Sequence, residues 1–478
     1  MISLATLSLV FFQSPLTIPR LNTPLDALHL VKPGLYQTAG KDAHAVWVVK
    51  GHDFSLDMTD RLLRGNQTAG SDQGQYEGIG ILLDGCVNVT LKNADISGFR
   101  FNLVLRDCKN VRILSTKVNR SRSIRMAKEG KPVDTLLNLR DLDAWRTYGA
   151  GIWLERCTTC RVERCTASDA QNGIVLVDTS GSNVIDNECS TNGGWGLAVW
   201  HSERNTLAWN HADFCNRPWS GGWGGATAGI AVVNGAFSNQ FIANSLTHCG
   251  DGFLLTDLLN EGIDSKTQEY TFDGASNLNC VAHNDGSWSS NNAFEGTCSE
   301  GNIYYANHAE DSNNGFWLGF SNQSFVIDND ILRNQTDGVA VQQGGGSTIF
   351  LNRIFGNHAV GVHIWSDAGP AELARPSIDN RVIQNQIMDS RLAVSLERSI
   401  RTLVQENTIR NAALPPGVDL SGLSLAQRLL LAGWKHSKVA KRLDDWFSQR
   451  PKGWLFYRET DNAKTPTTIK LGEFAPAR

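Results

Sequence analysis

Gly173-Ile174-Val175-Leu176 and Gly196-Leu197-Ala198-Val199 are two copies of a segment that recurs about every 22 residues through most of the chain. In each copy a glycine is followed by an apolar, a variable and an apolar residue. Between the copies lie stretches such as Asn183-Val184-Ile185-Asp186-Asn187, whose apolar and polar residues alternate as in β-strands. A short unit with three strand-sized pieces and no helical pattern predicts one coil of a parallel β-helix.

Two residue types recur at fixed offsets from the glycine and define the register of the coils. Small residues follow six positions on, as in Cys86, Cys108, Cys157, Thr179, Ser202 and Gly235. Asparagines follow fourteen positions on, as in Asn187, Asn210, Asn329 and Asn352. We expect the small side chains to stack and the amides to hydrogen-bond from coil to coil.

These G-I-x-L and N-x-I-x-x-N elements resemble the repeats of the right-handed parallel β-helix proteins of the pectin-lyase-like superfamily, and they are most similar to NosD-like and carbohydrate-binding/sugar-hydrolase repeats. The resemblance covers roughly residues 45 to 411. It implies an all-β fold, a single-stranded right-handed parallel β-helix of about 12–13 coils. It leaves the activity open, because the superfamily contains lyases, hydrolases, epimerases and binding proteins.

The chain divides into four predicted segments. The apolar stretch from Leu4 to Phe12 fits the core of a signal peptide, although the basic residues that usually precede it are missing, and it is too short to span a membrane. We therefore expect a secreted or periplasmic protein, with a cytoplasmic location as the alternative. The segments are a signal peptide at 1–15, an N-terminal cap at 16–44, the β-helix at 45–411, and a C-terminal extension with short helices at 412–478.

Charge and composition narrow the class of ligand. A net charge of -4 gives no basic footprint for nucleic acid. Lysine is absent from Thr267 through Trp434, so a neutral or weakly charged polysaccharide or oligosaccharide suits this half of the solenoid better than a polyanion. The sequence predicts no cofactor, no metal and no membrane span, and we expect a monomer.

The ten cysteines allow more than one interpretation. Cys157, Cys160 and Cys165 superficially suggest a zinc site, but the repeat explains Cys157 and Cys165 as stacked, buried thiols. Cys280 and Cys298 flank a long insertion and are the better candidates for a disulfide.

Tryptophans occupy outward positions of the repeat strand, where an apolar strip usually marks a binding site. In the family that the chain resembles, this strand lines the substrate groove. Trp153 and Trp200 are open to a second interpretation, in which the insertions cover them as ordinary packing. The predicted sugar contacts are Trp200, Trp317, Gln342, Trp365 and, on a loop, Trp223.

Glu295 is the carboxylate that stands out, because it takes an outward position where most coils carry an apolar residue. Asp257, at the end of the preceding strand, is its predicted partner, and two carboxylates about 5 to 9 Å apart are what glycoside hydrolysis requires. We expect burial beside Trp317 to raise the pKa of Glu295, while a better hydrated Asp257 stays ionised at neutral pH. In the alternative reading, Glu295 is solvated and Asp257 forms a turn.

His363 and Asp367 form a second candidate catalytic group. The aspartate clusters and histidine motifs of known uronate-active relatives are missing, which speaks against a uronate-specific activity. The leading hypothesis is a secreted glycoside hydrolase. The alternatives are a polysaccharide lyase or epimerase using His363 and an arginine, and a non-catalytic carbohydrate-binding or structural β-helix.

Overall fold

The computed structural model describes residues 21–26, 31–41, 44–66, 71–123, 141–219, 222–223, 227–257, 274–367 and 376–412. Within these ranges the chain winds into stacked coils whose neighbouring strands run parallel. This architecture confirms the predicted parallel β-helix. The predicted signal peptide at 1–15 and residues 413–478 of the predicted C-terminal extension lie outside the described residues.

The repeat segment that begins with glycine forms the largest sheet, which we call sheet A. Its register follows the sequence repeat, since Ile152 pairs with Ile174 and Leu154 with Leu176. In the described part of the chain, sheet A has 14 strands. They are Thr23–Leu25, Ala45–Val49, Ile79–Asp84, Phe101–Arg106, Ala150–Glu155, Asn172–Val177, Trp195–Trp200, Ala228–Val233, Asp251–Thr256, Asn292–Thr297, Asn314–Gly319, Val339–Gln342, Val360–Trp365 and Leu392–Glu397.

Sheet B is built from the short strands that follow the strands of sheet A from Ala45–Val49 onward. Within the described residues it has 13 strands. They are Ser55–Asp57, Thr90–Lys92, Arg112–Leu114, Arg161–Glu163, Asn183–Ile185, Thr206–Ala208, Gln240–Ile242, Cys280–Ala282, Ile303–Tyr305, Phe325–Ile327, Thr348–Phe350, Arg381–Ile383 and Leu403–Gln405.

Sheet C completes each coil and is the least regular of the three. Its longer strands lie at the two ends, and single parallel bridges from Asp95–Lys117 to Asp285–His308 connect them. The strands are Gly34–Gln37, Arg61–Arg64, Asp95–Ser97, His308–Glu310, Asp330–Leu332, Arg353–Phe355, Gln386–Met388 and Thr408–Arg410. The first strands of sheets A and C therefore lie inside the predicted cap at 16–44.

Two short strand pairs and two helices complete the described elements. The pair Pro218–Trp219 and Gly222–Trp223 is antiparallel, and Ser377–Ile378 pairs in parallel with Ser399–Ile400. A 3-10 helix covers Gln73–Gln75 and an α-helix covers Leu142–Tyr148. Neither of these helices, in the part of the chain that the structure describes, is long and apolar enough to cross a membrane.

One apolar core runs along the inside of the solenoid, from Leu25 to Val394. The repeat glycine is needed where one coil approaches the next. A Cβ on Gly173 would come within 2.3 Å of the Gly196 carbonyl oxygen, and one on Gly196 within 2.5 Å of the Ala212 Cβ. The glycine in the repeat thus reflects close backbone approach at the corner where each strand of sheet A begins.

The small-residue stack forms with one shift in register. Cys86, Cys108 and Cys157 are buried free thiols, as the stacking interpretation predicted. Gly235 was wrongly placed in this stack, because the chain has one extra turn residue there and Ala236 takes the position, donating its N–H to the Ser276 hydroxyl at 3.2 Å.

The predicted disulfide is also wrong. Cys280 and Cys298 are both free thiols. Cys280 starts a strand of sheet B, whereas Cys298 follows the sheet A strand Asn292–Thr297, one coil further along.

A continuous asparagine ladder joins successive coils and confirms the predicted register. The Asn187 side-chain amide donates to the Asn210 Oδ1 at 2.9 Å and to the Val162 carbonyl at 3.1 Å. The same pattern repeats from coil to coil, so every ladder amide has a partner in the next coil except the last. The ladder consists of Asn187, Asn210, Asn244, Asn284, Asn307, Asn329, Asn352, Asn385 and Asn407.

We expect Asn329→Leu to lower the free energy of unfolding by about 1–3 kcal/mol, because the Asn307 amide and the Tyr304 carbonyl lose buried partners. Asn187→Leu should behave alike. Urea denaturation of the purified variants measures the effect. Gln386→Leu, which removes an exposed amide from the adjacent sheet C strand, is the control and should stay close to wild type. Ladder variants as stable as this control would contradict the register.

Candidate functional site

The outer face of sheet A changes character along the solenoid. Each strand places side chains outward at a first position just before the glycine, a middle position and a last position. From Ile79 to Leu254 most of these residues belong to a buried apolar cluster, with Asp84, Arg106, Glu155 and Asn172 as polar exceptions. From Asp251 onward they are mostly polar, and we call this part the polar half.

A helix covers much of the apolar part. Asp141 caps the helix Leu142–Tyr148, and its carboxylate accepts hydrogen bonds from the Asp143 and Ala144 N–H groups. Trp145 on this helix packs against Trp195 and Trp200, with ring centroids 4.3 and 4.7 Å apart. For Trp200 this is the second of the two interpretations, in which an insertion covers the tryptophan as ordinary packing.

Trp153 and Trp200 are both buried. Trp200, which the sequence put forward as a sugar contact, has only 4% of its surface exposed. Trp200 is therefore not part of the candidate site. The side chain of Trp223 lies outside the described residues, and only its backbone in the short hairpin is defined.

Glu295 occupies the middle outward position of its strand and is half-buried. Its Oε2 accepts a hydrogen bond from the Asn292 amide at 2.8 Å. Loss of hydration raises the pKa of Glu295 to about 7, although hydrogen bonds from Asn292 and Thr297 act in the opposite direction. The direction agrees with the sequence-based expectation.

Asp257 has a different environment from the one expected. One of its oxygens accepts the Asn234 N–H and the other the Ser276 N–H, both at 2.6 Å. Asp257 thus holds the turn that follows its strand. Burial raises the pKa of its carboxyl to about 6 despite these hydrogen bonds, so it is less hydrated than expected.

Asp251 is the carboxylate that the sequence reasoning missed. It lies at the first outward position of the strand next to Glu295, with 3% of its surface exposed. It accepts hydrogen bonds from the Asn291 amide and the Asn292 N–H, each at 2.9 Å. Burial, and then the nearby charge of Glu295, raise its pKa well above the usual value. An acidic residue directly before the repeat glycine was the signal that could have identified it.

The first outward positions form a hydrogen-bonded row from Asp251 along the polar half. The Asn292 N–H donates to Asp251, and the Asn314 amide donates to the Asn292 oxygen at 3.0 Å. The Asn314 oxygen accepts the Asp337 N–H at 3.3 Å. Asp337 in turn contacts His363, so one polar chain links five successive coils.

His363 is oriented by Asp337, with 2.9 Å between the Nδ1 and the Oδ2. Its Nε2 lies 3.5 Å from the Glu397 Oε1. Burial disfavours the charged ring, but the hydrogen bond and charge of Asp337, together with Glu397, raise the pKa of His363 above its usual value. The imidazole also stacks on Trp365 at a centroid distance of 4.3 Å.

Asp367 is not the partner of His363 that the sequence suggested. Its Oδ2 accepts a hydrogen bond from the Gln342 amide, and its carbonyl accepts one from Arg398 at 3.1 Å. Gln342 and Asp367 therefore form a separate contact at the edge of the face, where Gln342 takes the last outward position of its strand.

Trp317 and Trp365 lie on the polar half and remain partly exposed. Their rings meet edge to face with centroids 5.4 Å apart. Trp317 is the cross-strand neighbour of Glu295. Glu295 and His363 lie three strands apart, or about 14 Å at the usual strand spacing. The carboxyl groups of Asp251 and Glu295 are therefore one group and His363 is another. The two tryptophans lie between or beside these groups.

Two family models match this sequence. Residues 56–246 match the model described as right handed beta helix region, and residues 265–413 match the model described as periplasmic copper-binding protein (NosD). No curated protein matches the sequence.

Solved structures similar to this chain include three β-helix proteins. A double mutant of the periplasmic alginate epimerase AlgG shares 12% identity over 78% of each chain, with a TM-score of 0.44. An exopolygalacturonase from Thermotoga maritima shares 12% identity over 70% of this chain and 83% of its own, with a TM-score of 0.40. The Dettilon tailspike protein shares 10% identity over 77% of this chain and 62% of its own, with a TM-score of 0.37.

The name of the second family raises the question of copper. Among the described residues, no three His, Cys, Asp or Glu side chains are grouped so that they could hold a metal ion. His363 has two carboxylates beside it, but its Nδ1 already faces Asp337. The described side chains therefore do not fit a copper site.

The raised pKa of Glu295 predicts a pH effect on stability. The folded protein holds this proton up to about pH 7, whereas the ordinary value is 4.5, so the folded state binds more protons between these values. The free energy of unfolding should therefore fall as pH rises through this window. Glu295→Gln cannot titrate and should show a shallower fall.

Urea denaturation of wild type and variant between pH 4.5 and 8 measures this difference. Glu188→Gln removes an exposed carboxylate from another part of the solenoid and is the control. If the Glu295→Gln curve runs parallel to the wild-type curve across the whole range, burial does not perturb Glu295.

Proposed function

We propose that this chain, a right-handed parallel β-helix protein with NosD-like repeats, acts on a polysaccharide along the polar half of sheet A and hydrolyses its glycosidic bonds. The observation that carries the proposal is a pair of carboxyl groups on adjacent strands, Asp251 and Glu295, next to the partly exposed Trp317. Fold alone would not support an activity, since β-helices carry several.

The pair suits proton transfer because its two members cannot both be charged at low cost. Asp251 is buried and the charge of Glu295 raises its pKa further, so Asp251 keeps its proton to a higher pH than a free carboxyl does. Glu295 is the more exposed member and therefore the one that reaches substrate. With a pKa of about 7 it can hold a proton for the leaving oxygen and release it near neutral pH.

Asp251 is the second carboxyl of the proposed pair, in place of Asp257. Asp257 has both oxygens occupied by backbone N–H groups of a turn, which argues against a role as nucleophile or base. Asp251 has hydrogen bonds from Asn291 and Asn292 to one oxygen. Because its pKa is raised well above the usual value, Asp251 keeps its proton near neutral pH and supports Glu295 without itself attacking the sugar.

Trp317 and Trp365 are the proposed sugar platform. Flat indole faces stack on sugar rings, and both side chains are partly exposed beside polar groups that can bond hydroxyls. Gln342 and Asp367 provide such groups at the edge of the face. The absence of lysine from this half of the sequence favours a neutral or weakly charged glycan.

A lyase or epimerase is the second candidate, and the contact between His363 and Asp337 favours it. An imidazole oriented by a carboxylate can take a proton from a sugar carbon. Arg398, which donates to the Asp367 carbonyl at the edge of this face, is the arginine that we propose for a sugar carboxylate. A purely binding β-helix would use the tryptophans without either acidic group.

We also propose that the protein acts outside the cytoplasm, as a monomer. The periplasmic name of the matched NosD family supports the location, together with the apolar stretch from Leu4 to Phe12. Fractionation of cells that express the full chain, with N-terminal sequencing of the product, tests this part independently of activity.

Trp317→Ala and Trp365→Ala should each weaken glycan binding by about 1 kcal/mol or more, or roughly fivefold, while thermal stability stays close to wild type. Affinity electrophoresis on the glycan that the panel below identifies measures the loss. Trp288→Ala removes an exposed tryptophan from a turn outside this face and is the matched control. Equal binding by all three variants would rule out the platform.

Glu295→Gln should lower turnover at least about 100-fold with folding intact, because the variant cannot give a proton to the leaving oxygen. A glycan panel scored in parallel for new reducing ends and for 4,5-unsaturated products identifies the substrate and the reaction class. Glu188→Gln should keep wild-type turnover.

His363→Gln separates the two enzyme classes. If the carboxyl pair hydrolyses the glycan, Glu295→Gln should form no new reducing ends, whereas His363→Gln should still form them. Unsaturated products that vanish only in His363→Gln would replace hydrolysis by the lyase reaction. Binding without any product would leave only the non-catalytic role.

A further inference from the structure

A cavity lies at the other end of the outer face of sheet A. It is a cavity of about 210 Å³ between the strands Ile79–Asp84, Phe101–Arg106 and Ala150–Glu155 and the helix Leu142–Tyr148. Its volume is below the range of about 300–1,000 Å³ that is usual for drug-sized ligands, so it has room for one ring and its substituents.

The floor of this cavity is apolar. Ile79, Phe101, Val104 and Trp153 line it, and the rings of Phe101 and Trp153 meet edge to face with centroids 5.3 Å apart. Of these two side chains, Phe101 is the one that stays partly exposed. Such a surface suits a flat apolar body and has few groups that could bond the hydroxyls of a sugar.

The rim is positively charged. Arg100, Arg106 and Arg146 line it together with one carboxylate, Glu155. Burial opposes the charge on Glu155, yet Arg146, the Trp153 indole N–H and Arg156 together lower its pKa, so it stays ionised at neutral pH. Three arginines and one glutamate leave a net charge of about +2 at the rim.

Most of these charges already have partners. Arg146 contacts Glu155 at 3.0 Å and Asp143 at 2.8 Å. Arg156, just outside the cavity, contacts both Glu155 and Asp107. Two arginines and the Trp153 indole therefore contact the Glu155 carboxylate. Its negative charge is largely neutralised and attracts a further cation only weakly.

Arg106 is the exception. Its cross-strand neighbours in sheet A are Asp84 and Glu155, but Asp84 forms its ion pair with Lys50 at 2.7 Å. Within the described residues, Arg106 makes no ion pair of its own. A guanidinium presents its N–H groups as a planar fork that matches the two oxygens of a carboxylate.

We propose that this cavity binds a small aromatic monocarboxylate, with the carboxylate on Arg106 and the ring against Phe101 and Trp153. The site is independent of the proposed glycan site. Six strand steps, or about 29 Å, separate its strand Phe101–Arg106 from the strand of Glu295, and the buried apolar cluster closes the face between them.

The test is isothermal titration calorimetry of the full chain with trans-cinnamate as the probe. The neutral analogue cinnamamide should bind at least tenfold more weakly, because it lacks the charge that Arg106 attracts. Glucuronate, a carboxylate on a hydroxylated ring, should also bind at least tenfold more weakly. Cinnamamide binding as tightly as cinnamate would overturn the role of the arginine, and glucuronate binding as tightly would overturn the aromatic ligand class.

Arg106→Gln should lose at least tenfold in cinnamate affinity, and Arg106→Lys should recover only part of it because a lysine lacks the fork. Arg112→Gln, an exposed arginine on sheet B, is the control and should bind as wild type does. Equal binding by wild type and Arg106→Gln, or no binding of cinnamate by the folded wild type, would overturn the proposal. Glycan turnover should be unchanged in Arg106→Gln, so failure of this site and failure of the glycan site are told apart.

Discussion

The hydrogen bonding between successive coils is the constraint on which the rest of the molecule depends. Each strand bonds to its equivalents on the neighbouring coils, and buried asparagine amides such as Asn244 and Asn284 continue the same pattern at the corner. Residues at equivalent positions are therefore held one strand spacing apart, about 4.8 Å, along the whole solenoid. The residues of a functional row on this surface therefore occupy the same position in successive repeats.

That geometry explains how one face can hold two different surfaces. Where an insertion provides the helix with Trp145, the outward residues are apolar and buried. From Asp251 onward the outward residues lie beyond this apolar cluster. They are mostly acids, amides and partly exposed tryptophans. The backbone is the same in both halves, so the difference arises from side chains at the outward positions and from what covers them.

The sequence could predict the features that every coil repeats. The register, the asparagine ladder and the stacked thiols follow from fixed offsets, and each coil gives an independent check. Pairings at the candidate site occur once. Asp251 and Asp337 lie at the first outward position, before the glycine. The outward positions predicted from the sequence follow the glycine, and the predicted partners Asp257 and Asp367 come after the last of these positions. Trp200 is buried by a helix from an insertion, which the repeat pattern does not describe.

The polar row from Asp251 to His363 has one more consequence. Because its members lie on successive coils, the distance between the carboxyl pair and the histidine is a whole number of coils, and gain or loss of one repeat between them would change it by about 5 Å without altering either group. The number of coils between the two groups therefore sets the distance between them. Duplication or deletion of a repeat offers evolution a stepwise way to match this face to a ligand of different length.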